Sequence, residues 1–513
     1  MTVDIPVGEG RLPGYLQEQS DYAVFLTALQ GLVIPDLFFY LPKVYMTGTR
    51  LPLCGSPNMW FECIVADGLS QNSYIVGSGE QAAVIDPRRD CNRYLEHADR
   101  HDAVITHIFE THRNEDFVSG ALELAHQCGA KIYHGSYLDF EYGTVVQEGD
   151  RFILGSLVLS ILETPGHTEE SITIVLVDTE VSREPYMVFS GDTIFAGDIA
   201  RTDFFGPERK AEMAGKLYDS ITVRILPLGD GVILCPAHGK GSLCGSEIAD
   251  HPFSTIGYEK RTNPVLALGK DAFVSRRRTE SPYQPPYFRQ MEIVNKKGPA
   301  LLHSLSRVQA LSVDAVTTLV ASGCQIVDIR SPTAFAGGHI PGSFSIWRDG
   351  ITSFAGWVLD FERPIVLVDD FNCDLSTVLR HFERLGYDNA RGWLAGGFPA
   401  WFRAAQPVGI SGVCTVQDLK RRLICEKLFL LDVRDRKNRE HSGSIPGSHH
   451  VYVGELPKYL NEIPKDRSVV VYCDAGFKGS LAVSVLALHG FHDLTNVLGG
   501  MQAWIRAGYP VER

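Results

Sequence analysis

The sequence has no pair of cysteines at CxxC spacing, no excess of positive charge and no long uninterrupted apolar run. Its eleven cysteines are scattered. A disulfide framework or a structural zinc knuckle clusters them, so reduced thiols in a cytoplasmic setting are expected. Lys and Arg number 48 against 61 Asp and Glu, a net charge of −13. Such a chain is repelled by phosphate backbones and anionic bilayers, which argues against nucleic acid or membrane as partner. The most apolar stretch, residues 22–41, is interrupted by Pro35 and Asp36, short of the ~20 continuous residues that span a bilayer. It reads as a core-packing extension. The acidic N-terminus lacks the basic start of a signal peptide.

What is present is an ordinary globular composition, 44% hydrophobic and 21% charged over 513 residues. That length implies three or more folded units. Residues 1–57 form an extension with no assignable role. From 58 to 255, apolar strands such as AAVID, AVITHIFE and YMVFSGD alternate with turns and amphipathic stretches, the pattern of a layered α/β domain. Residues 256–305 carry Arg276-Arg277-Arg278 and then SPYQPPYF, which together read as a solvated linker. The remainder contains an internal repeat. VDIR at 327–330 returns as LDVR at 431–434, GHIPGS at 338–343 as GSIPGS at 443–448, and GGFPAW at 396–401 as GGMQAW at 499–504. Two copies of one α/β domain, 306–408 and 409–513, are therefore expected, each a doubly wound parallel sheet.

In the second copy the β-branched run SVVVYC ends at Cys473, followed by a short glycine-containing loop that opens a helix. Backbone N–H groups and the positive helix end there favour a thiolate, so Cys473 is a candidate nucleophile. A buried, inert cysteine is the alternative. The motifs D-x-R, IPGS, the cysteine loop and the terminal GG…W resemble the rhodanese (sulfurtransferase) family. That resemblance implies that Cys473 accepts a sulfane sulfur, cradled by Asp474, Ala475, Gly476 and Phe477, with Lys478 where an arginine is often found. The matching position of the first copy is Asp369, which cannot carry sulfur, and Cys373 stands four residues further on. The first copy is thus expected to be catalytically silent.

Within 58–255, His112, His167, Asp192 and His238 each follow an apolar strand. Strand ends of layered α/β domains face a common crevice, so these four are candidate metal ligands. His107 lies inside its strand and reads as core. The segment resembles the metallo-β-lactamase superfamily, whose first motif is THxHxDH; here it is THRNEDF, with Asn114 and Phe117 in place of two histidines. A two-zinc hydrolase is therefore not expected. The survivors His112, His167 and Asp192 make the two-histidine, one-carboxylate set of non-haem Fe(II) sites. ARTDF at 200–204 resembles the GRTDF of the persulfide dioxygenase branch. The resemblance as a whole implies an αββα sandwich followed by two rhodanese domains. It also implies one Fe(II) per chain (zinc being possible on purification) and Arg201 as anchor for a carboxylate of the thiol carrier. Asn114, Asp116 and His238 would then be supporting residues or a second metal set. The implied reactants are a low-molecular-weight thiol persulfide, O₂, and thiosulfate or sulfite, and a homo-oligomer is compatible with it. Two other readings stay open: a metal-free scaffold with only the rhodanese active, and a mononuclear hydrolase with Asp116 as base.

Overall fold

The strand signals become four sheets in the computed structural model, which describes residues 58–245, 247–305 and 307–513. The apolar stretch at 22–41 lies outside the described residues. The first sheet has the order β1 (Met59–Ala66), β2 (Gln71–Ser78), β3 (Gln81–Ile85), β4 (Val104–Glu110), β5 (Lys131–His134), β6 (Thr144–Val145). The second comprises β7 (Arg151–Leu154), β8 (Leu157–Glu163), β9 (Ile172–Asp178), β10 (Met187–Gly191), β11 (Ile233–Pro236) and β12 (Ser254–Thr255), laid side by side in sequence order. Period-two patterning sets the inner faces: β8 buries Leu157, Leu159 and Ile161. They meet Tyr74, Val76 and Phe109 of the first sheet across the sandwich. The helices Asn92–Asp99 and Ala121–Cys128 cover the first sheet through Tyr94, Ala98 and Leu124. The helix Lys210–Asp219 covers the second through Ala214 and Leu217. This is the expected αββα sandwich.

The repeat folds twice into the same topology. The third sheet contains β13 (Gln309–Leu311), β14 (Gln325–Asp328), β15 (Phe344–Ser345), β16 (Ile365–Val368) and β17 (Ala390–Leu394), ordered β13-β17-β16-β14-β15. The fourth contains β18 (Gly412–Cys414), β19 (Phe429–Asp432), β20 (His449–His450), β21 (Val469–Tyr472) and β22 (Leu494–Val497), ordered β18-β22-β21-β19-β20. Every pairing within these two sheets is parallel. Strands buried on both faces need continuous apolar runs, which IVLV in β16 and VVVY in β21 supply. No helix among the described residues is long and apolar enough to cross a membrane.

Residues 256–297 are not the solvated linker expected. They form the helices Ile256–Thr262, Lys270–Thr279 and Tyr287–Lys297. Helical periodicity puts Arg277 four residues after Phe273 on a buried face, where it donates to the Ile199 carbonyl at 2.9 Å and pairs with Glu280 at 2.7 Å. Only Arg276 and Arg278 reach solvent. The helix Tyr287–Lys297 lies at the junction of all three domains. Its Tyr287, Phe288 and Met291 share one apolar core with Phe117 and Val118, with Val327, Ile346 and Phe382 of the first copy, and with Leu431, Val471 and Leu481 of the second. Asn295 on the same helix accepts from the Ser119 N–H at 2.9 Å and donates to the Asn114 and Phe117 carbonyls, both at 2.8 Å. The two copies also meet polar to polar: Ser345 bonds Ser480 at 2.7 Å, and its N–H donates to Ser484 at 3.0 Å.

Phe117 thus packs the domain junction. Replacing it with alanine is expected to cost about 3–5 kcal/mol, the usual penalty for emptying a buried phenylalanine site. Denaturant unfolding followed both by near-UV circular dichroism and by proteolytic release of the 409–513 copy should register the loss together. A shift confined to the N-terminal sandwich would contradict the shared core.

Candidate metal centre and sulfur-acceptor loop

The C-terminal ends of β4, β8, β10 and β11 deliver His112, His167, Asp192 and His238 to one rim, and all four side chains are buried. Gly191, at φ +53°, closes the approach: a Cβ there would stand 2.5 Å from Thr111 Oγ1. One donor atom each of His112, His167 and Asp192 lies within 4.8 Å of the others. Asp192 Oδ2 is 3.8 Å from His112 Nε2 and 3.5 Å from His167 Nε2. None of these three atoms has a hydrogen-bond partner.

The opposite ring nitrogens explain why the free ones carry lone pairs. His167 Nδ1 donates to the Arg201 carbonyl at 3.0 Å. The Thr111 hydroxyl donates to Asp86 at 2.7 Å, which leaves its oxygen to accept from His112 Nδ1 at 3.0 Å. Both Nε2 atoms are therefore acceptors facing Asp192 Oδ2, an arrangement that suits a divalent cation. Burial pushes the Asp86 carboxyl up to about 7 despite two hydrogen bonds from Thr111. Burial brings His112 down to about 4, whereas carboxylates outweigh burial at His167 and raise it. Burial also opposes charge on Asp192, yet His238, His112 and His167 hold it well below the usual carboxylate range. His238 sits between two carboxylates, with Nδ1 2.6 Å from Asp192 Oδ1 and Nε2 2.9 Å from Asp116 Oδ2.

Sequence reasoning passed over Glu115. It is fully buried, bonds Arg113 at 3.2 Å, and points an unpartnered Oε2 at His167 Nε2 from 3.4 Å. Its spacing of three from His112 was visible, but nothing in the motif marks that position. Phe204 is edge-on to His167 at 5.1 Å and dries that side. Asn114 stands outside the ligand set and donates from its amide to the His112 carbonyl at 3.1 Å. Arg201 pairs bidentately with Asp203 at 2.7 Å and donates to the Leu243 and Tyr283 carbonyls, which engages four of its five guanidinium N–H groups within the protein. His107 is half-buried among Phe109, Tyr133 and Phe152, away from the metal set.

Cys473 follows β21 and opens the helix Phe477–Leu488 through Gly476 at φ +102°. The Gly476 N–H donates to its sulfur at 3.1 Å. Met501 N–H reaches the Cys473 carbonyl at 2.7 Å, and Phe398 N–H reaches Asp369 in the same way at 2.7 Å, so Asp369 is the structural counterpart of Cys473. In the first copy Arg348 neutralises Asp369 at 2.7 Å. Lys478 bonds Asp474 at 2.7 Å and approaches Asp435 at 3.4 Å. Burial pushes the Cys473 thiol up, and the amides of Gly479, Gly476 and Ala475 with Lys478 partly offset it. Phe477 rests 5.1 Å from Trp347 of the first copy.

Two measurements test this geometry. Thr111→Val deletes the hydroxyl between Asp86 and His112, and is expected to weaken metal binding ~10–100-fold in a chelator competition. Unchanged affinity would remove the relay. At Cys473, a raised thiol leaves little thiolate at neutral pH, so alkylation by iodoacetamide should accelerate as pH climbs above neutrality. In Lys478→Ala that rise should move to still higher pH. A rate flat from pH 6 to 9 would mean the thiolate is already formed.

Comparison with known proteins matches residues 66–238 to the metallo-beta-lactamase superfamily and residues 312–404 and 415–507 to the rhodanese-like domain. The hydroxyacylglutathione hydrolase GloC of Haemophilus influenzae is 29% identical over 231 residues, 40% of this chain and 98% of that protein. The mitochondrial persulfide dioxygenase ETHE1 of Bos taurus is 28% identical over 214 residues, 39% of this chain and 74% of that protein. A sulfurtransferase of Allochromatium vinosum is 34% identical over 96 residues, 18% of this chain and 89% of that protein. Among solved structures, a metallo-beta-lactamase from Staphylococcus aureus is 32% identical with a TM-score of 0.59, covering 66% of this chain and 99% of that one. With the sandwich, its rim of ligands and the twofold sheet topology already in view, the chain belongs to the metallo-beta-lactamase superfamily and carries two rhodanese-like domains behind that domain.

Proposed function

We propose that the N-terminal domain is an Fe(II)-dependent dioxygenase of low-molecular-weight thiol persulfides, and that Cys473 exchanges sulfane sulfur with the same pool. The observation that carries this reading is the set of three buried, unpartnered donor atoms on His112, His167 and Asp192. Two histidines and one carboxylate leave positions open for substrate and oxygen. Similarity to the bovine persulfide dioxygenase and to the Allochromatium sulfurtransferase supports both halves.

The overall reaction is RSSH + O₂ + H₂O → RSH + HSO₃⁻ + H⁺. The sulfane sulfur is oxidised by four electrons, and O₂ is the oxidant. Bound Fe(II) supplies the electrons that activate O₂ and a Lewis-acidic seat for sulfur. The protein's own groups do the rest. Asp86, through Thr111, and the Arg201 carbonyl fix the two imidazoles. Phe204 and Phe117 keep water away from the rim, and Glu115 supplies a fixed negative charge beside His167. At the other centre, the Cys473 sulfur would take up a sulfane sulfur and hold it against the loop amides, with Lys478 adding positive charge.

A second reading, a mononuclear metal-dependent hydrolase, is favoured by one observation: Asp116 Oδ1 is buried without a partner beside His238, a plausible seat for a water proton. The likeness to the Haemophilus hydrolase agrees with it. Oxygen consumption separates the two. Protein reconstituted with Fe(II) and given glutathione persulfide should consume O₂ and form sulfite. His112→Ala should abolish uptake, and Cys473→Ser should abolish only sulfur transfer from thiosulfate. Thioester hydrolysis with no oxygen uptake would favour the hydrolase and sink the dioxygenase.

A further inference from the structure

The loop that opens at Cys473 carries one cation, Lys478, close enough to the sulfur to favour its thiolate. Two carboxylates hold that cation: Asp474 Oδ2 is 2.7 Å from Nζ and Asp435 Oδ2 is 3.4 Å from it, and none of the three side chains is more than 29% exposed. One ammonium against two carboxylates leaves the trio with a net charge of −1. Two guanidinium groups nearby are committed elsewhere. Arg434 forks onto Asp432 at 2.9 and 2.7 Å. Arg348, next to the Trp347 that meets Phe477, is held by Asp369 at 2.7 Å. The duplicated domain supplies an internal comparison. The counterparts of Cys473, Asp474 and Lys478 in the first copy are Asp369, Asp370 and Asp374. There Asp370 has no lysine to meet and turns to Arg330, the counterpart of Arg434, at 3.3 Å. In the second copy Arg434 bonds Ser442 at 2.7 Å instead, and Asp474 faces Lys478. An aspartate at this place is common to both copies, but its use against a loop cation belongs to the copy that carries sulfur.

We propose, resting on the sulfur-transfer reading of Cys473, that Asp474, backed by Asp435, sets the donor preference of this centre: it turns thiosulfate away and admits sulfane sulfur carried by an uncharged thiol persulfide. The two donors differ in charge at the atom attacked. With thiosulfate the step is Cys473–S⁻ + S₂O₃²⁻ → Cys473–S–S⁻ + SO₃²⁻. With a persulfide it is Cys473–S⁻ + RSSH → Cys473–S–SH + RS⁻. In both, the thiolate forms a bond to the sulfane sulfur, the donor's S–S bond breaks, and its electron pair leaves on sulfite or on RS⁻. Thiosulfate brings two negative charges to a thiolate that already faces an uncompensated carboxylate, whereas the persulfide brings none at its reacting end. Like charges repel more strongly on a half-enclosed rim than in open water. Lysine also lacks the fork with which an arginine would grip two sulfonate oxygens at once.

Single-turnover loading reads the preference directly. Full-length protein, kept anaerobic so that the metal centre consumes no persulfide, is mixed with thiosulfate or with glutathione persulfide. Gain of a sulfur atom on the peptide that carries Cys473 is followed by quenched-flow mass spectrometry. The wild type should load faster from the persulfide. Asp474→Asn should raise the ratio of the thiosulfate rate to the persulfide rate about tenfold, as removal of one charge a few ångströms from a dianion requires. A ratio cancels any change in the thiolate population. Asp435→Asn, which keeps a side chain able to cap the helix Arg436–Ser442, should raise the ratio by less. Added KCl should speed thiosulfate loading of the wild type by screening the carboxylates, and that gain should shrink in Asp474→Asn. Near-UV circular dichroism checks the fold; if Asp474→Asn does not fold, Asp435→Asn and the salt dependence of the wild type decide. A ratio unmoved by either variant, or a wild type that loads faster from thiosulfate, would overturn the inference and leave the sulfur-transfer reading standing. Loading from neither donor would end that reading and the inference with it.

Discussion

Lone pairs buried without a proton to share are the constraint on which the N-terminal domain depends. An unpartnered polar atom in a protein interior costs ~1–3 kcal/mol, and here such atoms on His112, His167, Asp192, Glu115 and Asp116 crowd one rim. A fold that keeps them must be held from outside the cluster and balanced from inside it by positive charge. The outside hold is visible in the Asp86–Thr111–His112 relay, the Arg201 carbonyl behind His167, and Gly191, whose missing side chain lets β10 press against Thr111. The inside balance is what a cation provides.

The domain junction acts on the same loop. Residues 112–119 carry ligands at one end and interdomain packing at the other, and Asn295 bonds to their backbone at three points. Phe117 serves the junction where a histidine would have served a metal. The loss of a ligand and the gain of a shared core are therefore one change at one position. Tyr283 extends the link: its carbonyl takes Arg201 from the metal domain, while its ring stacks on Tyr452 of the second rhodanese-like copy at 4.4 Å.

The sequence makes some of this legible and hides the rest for definable reasons. Strand-end histidines and a repeat spaced by 103 to 105 residues are local signals, and the four sheets follow from them. The candidate trio of His112, His167 and Asp192 was legible because each residue follows a strand. Glu115 was not, because whether a motif's variable position faces the metal depends on the turn at Asn114, which has φ +26°. Family likeness fixes the position of the Arg201 guanidinium but says nothing of its partners Asp203, Leu243 and Tyr283. The linker misled for a similar reason: a run of three arginines looks solvated until helical periodicity turns the middle one inward.

The common apolar core has a practical meaning for anyone who divides this protein into parts. A fragment ending near residue 305 would leave Phe117, Val118, Phe288 and Met291 facing water where Phe382, Leu385 and Ile346 now cover them. A fragment beginning near 409 would uncover Ser480 and Ser484 along with Leu481. An isolated half that aggregates or lies inert would report the loss of its neighbours' surface rather than the absence of chemistry. The copy that carries Asp369 has kept no sulfur-bearing residue at that position, but it has kept this surface. Natural selection on a duplicated domain can preserve a wall after its original trade has gone.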